Sequence, residues 1–169
     1  MNPSGNFSAP RQAWLITALL LVIGFTTASS AGEFSLKDTH GVQHTLAGLR
    51  GKWVLVNFWA PWCPACIQEM PEFNALQQQH QDVQVIGVAV EYQTEKEVLN
   101  MVKKQALNYP IVFSNESSSG DFDVIYGLPT SYLYSPDGKL IGHHLGPLTQ
   151  TEIEKVMQQK PAAANLFTQ

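Results

Sequence analysis

Cysteine is nearly absent from this sequence: 169 residues hold two, Cys63 and Cys66. That scarcity excludes a disulfide scaffold, which spreads an even set of cysteines widely to close long loops. A Cys63–Cys66 bond closes a loop of two residues and removes little entropy from the unfolded chain. The pair is a poor staple, so its purpose is chemical. Long basic runs are missing too. Lys103-Lys104 is two charges inside an expected helix, and the formal net charge is −4. Nothing here suits a polyanion, and no nucleic-acid partner is expected. Metal ligands are equally short. Two cysteines do not fill a tetrahedral zinc site, and only His143 and His144 are adjacent among the five histidines, so no metal is expected. No internal repeat and no second domain are visible.

Charge is also scarce at the start, where Arg11 is the only charged side chain before Glu33. Trp14 to Phe25 is apolar, and Thr26 to Ala31 is small and mostly polar, with Ser29 and Ala31 at the −3 and −1 places. This is the layout of a secretory signal segment. Its apolar core is about a dozen residues, short of the roughly 20 of a bilayer span. A cleaved signal peptide over residues 1–31 is favoured. A signal anchor that touches the membrane through residues 13–28 stays open. Either reading carries residues 32–160 across a membrane, to the periplasm or another extracytoplasmic face. Residues 161–169 read as a loose tail.

What is present is a strand–helix alternation. Phe34-Ser35-Leu36 and Val42 to Leu46 alternate around the turn Asp38 to Gly41 and predict a hairpin. Trp53 to Trp59 is a nearly continuous run of β-formers, the mark of a strand covered on both faces. After Cys66 the period changes, with Met70, Phe73 and Leu76 at helical spacing. Val83 to Val90 predicts a second buried strand, and Thr94 with Glu97 a capping box that opens a second helix. Tyr109 to Phe113 reads as a strand. Ser114 to Gly120 reads as a loop, and Asp121 to Tyr126 as a short helical or irregular piece. Ser131–Tyr134 and Leu140–His143 pair across Ser135-Pro136-Asp137-Gly138. Thr149 with Glu152 opens a last helix. The order predicts a mixed sheet sandwiched by helices.

Both cysteines lie in Trp59-Ala60-Pro61-Trp62-Cys63-Pro64-Ala65-Cys66. The loop leaving a central strand lies at the carboxyl edge of the sheet, where chemistry gathers. Pro64 suits the first helical position, which places Cys63 at the helix N-terminus. Partial positive charge and free N–H groups there favour a thiolate. Cys63 is therefore expected to be the attacking sulfur, with a lowered pKa. Cys66, one turn in, is expected to be the buried resolving thiol. Trp59 and Trp62 are expected to shield the pair and offer an apolar rim to substrate.

These segments resemble the thioredoxin superfamily, and more narrowly its exported TlpA/ResA-type members. The resemblance rests on Trp59–Cys66, Leu49–Lys52, Val56–Ala60, Cys66-Ile67-Gln68-Glu69-Met70-Pro71 and Gly127-Leu128-Pro129-Thr130. It spans about residues 33–160. It implies an α/β three-layer thioredoxin-like sandwich, with helices on both faces of a mixed sheet and an N-terminal β-hairpin. It implies that Pro129 is cis beside the disulfide, with Leu128 and Thr130 at the substrate. It also makes Glu69, three residues beyond Cys66, an acid that handles a proton for the thiols. The other reading of Glu69 is a solvated first-turn carboxylate. Cytoplasmic thioredoxins carry an aspartate where this chain has Asn57, so the acceptor must lie elsewhere, with Glu91 the second candidate. Pro71 reads as a kink within a helix.

The function expected is thiol–disulfide exchange with exported protein thiols and disulfides. The resemblance points to a reductant in cytochrome c or copper-site maturation, fed by a membrane thiol donor. No cofactor beyond the Cys63–Cys66 couple and a monomeric state are expected. A peroxiredoxin-type peroxidase is the first rival, but that pattern places Thr or Ser three residues before the cysteine, where this chain has Ala60. The second rival is a copper carrier or a non-catalytic adaptor. It prefers a wider cysteine spacing with a histidine nearby.

Overall fold

In the computed structural model, the described residues beyond Met1 are 34–114, 122 and 125–159. The expected segment 1–31 and tail 161–169 lie outside them, as do nearly all of the 114–120 loop and much of the 121–126 piece. Among the described residues, no helix is long and apolar enough to cross a membrane.

β1 (Ser35–Lys37) and β2 (Gln43–Thr45) form the antiparallel hairpin. β3 (Trp53–Trp59) leads into α1 (Pro64–Gln79), β4 (Val83–Ala89), α2 (Glu95–Lys104) and β5 (Ile111–Phe113). β6 (Thr130–Tyr134), β7 (Leu140–Leu145) and α3 (Gln150–Gln158) follow. The five-stranded sheet has the order β5-β4-β3-β6-β7. β3 is central, parallel to β4 and antiparallel to β6. The two parallel steps need helical crossovers, which α1 and α2 supply, while β6 and β7 need only the tight turn at Ser135–Gly138.

Alternation along β3 sorts the core into two layers. Leu55 and Trp59 face a cluster that holds Cys66, Met70, Phe73 and Leu76 of α1, Val98 of α2, and Ile153 and Val156 of α3. Val54, Val56 and Phe58 face a second cluster with Phe34, Leu36 and Leu46 from the hairpin region, and Phe122 packs against it. Among the described residues the three α-helices therefore pack on one side of the sheet and the hairpin over the other; the 121–126 piece, expected to be helical or irregular, lies mostly outside them. Asp38 and Thr39, just past β1, pair with β5. Asp38 bridges Val112, and the Thr39 N–H donates to the Ile111 carbonyl at 2.7 Å.

Helix starts follow the expected caps with one difference. Thr149 and Glu152 form a complete capping box on α3. On α2 the Thr94 side chain accepts from the Glu97 N–H, but the Glu97 carboxylate accepts from Gln93 N–H rather than from Thr94. Pro71 lies inside α1 without ending it, although it has no N–H to give the Ile67 carbonyl.

Candidate active site

β3 delivers the chain to the sheet edge, and Cys63 becomes the N-cap of α1 with Pro64 at the first helical position. Cys63 and Cys66 are joined by a disulfide, their Cα atoms 5.3 Å apart. The Cys66 N–H donates to Cys63 Sγ at 3.2 Å. An N-cap acceptor satisfies one of the free donors of the first turn. The same N–H and the helix dipole favour negative charge on that sulfur once the bond is reduced. Cys66 has no exposed surface, and Cys63 keeps 4%. Cys63 is the more exposed of the two, as expected, although both residues are nearly covered.

A polar row lies beneath the pair. Asn57 of β3 stands in register with Gly87 of β4 and Ser131 of β6. Side by side in the ladders, these residues share the face under α1. Glu69 descends from α1 onto this row and is 2% exposed. One carboxylate oxygen accepts from Asn57 Nδ2 at 2.8 Å. The other accepts from the Leu148 N–H at 3.0 Å. Asn57 Nδ2 also reaches Ser131 Oγ at 3.0 Å. Burial raises the Glu69 pKa to about 8, outweighing the two donors that lower it. The same burial, and then the charge of Glu69, pushes the buried Tyr109 hydroxyl upward. Glu69 is therefore not a solvated first-turn carboxylate; it is a buried acid one helical turn from Cys66.

Gly87 makes room for this arrangement. A Cβ there would stand 3.1 Å from Trp59 Nε1, 3.1 Å from Tyr109 Cε2 and 2.9 Å from Ile111 Cδ1. Trp59 itself is fully buried, and its indole N–H has no hydrogen-bond partner among the described residues. The expectation that Trp59 offers a rim to substrate is corrected: it shares the helix-side face of β3 with Leu55 and packs below the disulfide. Trp62 is 57% exposed, and its indole N–H donates to the Glu91 carbonyl at 2.8 Å.

The Leu128–Pro129 bond is cis, as the resemblance implied. Leu128 is half-buried and packs against the cluster that contains both cysteines. Thr130 is 3% exposed, and its hydroxyl donates to the Gly127 carbonyl at 2.7 Å. It braces the turn from inside, so the expectation that it meets substrate is corrected. Glu91, the second candidate acid, is exposed, and what it gives Trp62 is a main-chain carbonyl. Asn57, Ser131 and the Leu148 amide were not expected at the site. A polar residue at the middle of a strand covered on both faces needs a buried partner, and that was the available signal for Asn57.

The arrangement is a redox couple capped by a helix N-terminus over a buried acid. Comparisons with known proteins agree with it. A model described as the AhpC/TSA family matches residues 27–143. The thiol-disulfide oxidoreductase ResA of Bacillus subtilis (strain 168) is 34% identical over 167 residues, covering 87% of this chain and 92% of that one. Thioredoxin-like protein YneN of the same strain is 34% identical over 137 residues, with 79% of each chain covered. Among solved structures, a thiol:disulfide interchange protein of the thioredoxin family from Chlorobium tepidum TLS superposes with a TM-score of 0.66. It is 29% identical, and 76% of this chain and 92% of that chain are covered.

Proposed function

From the premise that this chain belongs to the AhpC/TSA family and is a thiol–disulfide oxidoreductase of the ResA type, we propose that it reduces disulfides in exported proteins. The single observation that carries the reading is the Cys63–Cys66 pair at the start of α1 above the buried Glu69.

The steps use this chain's own atoms. In the dithiol form the Cys63 thiolate, favoured by the Cys66 N–H, attacks one sulfur of a substrate disulfide. The other substrate sulfur leaves as a thiolate and takes a proton from water. Cys66 then gives its proton to the Glu69 carboxylate and attacks Sγ of Cys63. The second substrate thiolate departs, and the protein is left as the disulfide described above. Two electrons have passed to the substrate. A donor dithiol restores the pair by the reverse sequence, and a membrane thiol protein on the extracytoplasmic side suits that part. The exposed Trp62 and the Leu128 main chain before the cis Pro129 are the surfaces assigned to an extended substrate segment. The redox couple is supplied by the two cysteines, and the working form is taken as a monomer of residues 32–160. Apocytochrome c or copper-site cysteines are the substrates proposed.

The rival reading is a peroxiredoxin-type peroxidase, yet Ala60 stands where the peroxidatic pattern needs Thr or Ser. Equilibration with glutathione tests the reading. A potential near the roughly −270 mV of thioredoxin supports a reductant, and one near the roughly −120 mV of DsbA overturns it. Cys66→Ser should trap exported proteins as mixed disulfides on non-reducing gels, and Cys63→Ser should not. Equal trapping by the two variants would remove the assigned order of attack.

A further inference from the structure

Glu91 carries an observation that the redox mechanism does not use. It follows β4 in the left-handed region, at φ 49°, where side chains other than glycine are uncommon. Its carbonyl is held by Trp62, the residue next to Cys63. Its side chain is exposed and makes no ion pair or hydrogen bond among the described residues. It lines a cavity of about 150 Å³ with Val90, Ile125, Tyr126, Gly127 and Leu128. Tyr126 is 85% exposed at its mouth.

The cavity is smaller than the roughly 300–1,000 Å³ of small-molecule sites, so it holds one side chain rather than a whole ligand. Its walls are mostly apolar, with the Glu91 carboxylate the one charged group and the Tyr126 hydroxyl beside it. A lysine or arginine answers both features, with its stem along Leu128 and Ile125 and its charged end at Glu91. The ring of Tyr126 adds a face for a cation. The cavity lies between the residues that follow β4, whose Glu91 carbonyl Trp62 holds, and residues 125–128 before the cis Pro129. Trp62 joins Glu91 through this bond and Cys63 through the chain, which brings the residue beside a substrate cysteine at Cys63 within reach of the cavity.

We propose that Glu91 selects substrates with a basic residue next to the reacting cysteine. The proposal rests on the thiol–disulfide reading above and narrows its substrate class. The complementarity is one acid for one base at a partly exposed site, where such pairs are worth a few-fold in rate or affinity.

The test uses reduced full-length protein and three short peptides, each with one cysteine held as a mixed disulfide with glutathione. The peptides differ only in the residue beside the cysteine: arginine, alanine or glutamate. Release of peptide thiol is timed at low ionic strength. Wild type should favour arginine over glutamate by roughly threefold to tenfold, and high salt should shrink the ratio. Glu91→Gln should bring the ratio close to one, and Glu91→Lys should reverse it. Ratios are taken within each variant, so a loss of folded protein cancels. Equal rates for the charged peptides in wild type overturn the proposal. So does a preference that survives in both variants, because selection then comes from elsewhere. No reaction with any peptide, alanine included, removes the underlying activity and the proposal with it.

Discussion

At the residue scale the decisive group is Glu69. Its pKa, raised by burial from 4.5 to about 8, links redox chemistry to stability with a definite sign. The folded state prefers the neutral acid. Its contribution is therefore fully present below about pH 4.5 and is lost as pH rises through about 8, on the order of 4 kcal/mol by the upper end. Urea midpoints measured across that window should fall in wild type and stay flatter in Glu69→Gln. That variant should also be less stable at low pH, because the glutamine amide has a single accepting oxygen for the two donors, Asn57 Nδ2 and the Leu148 N–H. An unchanged slope would assign the pH dependence to another group. In catalysis the sign reverses, since only the ionised acid accepts the Cys66 proton. At pH 7 an acid with a pKa of about 8 is ionised in about one molecule in ten. Resolution of the mixed disulfide should therefore speed up as pH approaches 8 and lose that dependence in Glu69→Gln. Limiting iodoacetamide should label Cys63 before Cys66 in the reduced protein. Preferential labelling of Cys66 would exchange their roles.

At the element scale the site depends on three neighbouring strands being narrow at one level. Gly87 and Ser131 flank Asn57, and the space they leave takes the Glu69 carboxylate and the rings of Trp59 and Tyr109. Gly87→Ala should press on those rings and on Ile111, costing about 1–3 kcal/mol. A shift in the pH dependence of thiol reactivity should accompany it; a variant as stable as wild type would show that the rings give way freely. Much of this level was legible in the sequence. β3 begins and ends where its run of β-formers does, and Pro64 placed Cys63 at the helix start, because those signals are local. The polar network was not legible. Its bonds join residues 12, 74 and 79 positions apart, and no short window contains both partners. Trp59 was misread although its position held the answer: residues 55, 57 and 59 alternate onto one face, so an aromatic at 59 must lie under the helix that follows. Thr130 was placed at the substrate by resemblance alone, whereas β6 begins there and its side chain turns inward.

At the scale of the whole molecule the sheet separates two cores, and the redox pair belongs to the helical one. The hairpin core can be weakened without touching the disulfide. Leu36, with no exposed surface, should cost roughly 2–5 kcal/mol when truncated to alanine. Cys63 in that variant should still react with iodoacetamide at the wild-type rate. A parallel loss of reactivity would mean that the layers are coupled through the strands. The two ends of the sheet differ as well. Residues 38 and 39 close the β5 side, whereas β7 has no strand beyond it among the described residues. An exposed edge is a template for joining sheets between copies. A sheet with one such edge can join a second copy once, β7 to β7, and the union then presents only closed ends. Crowding should therefore yield a dimer of ten continuous strands rather than a growing fibre.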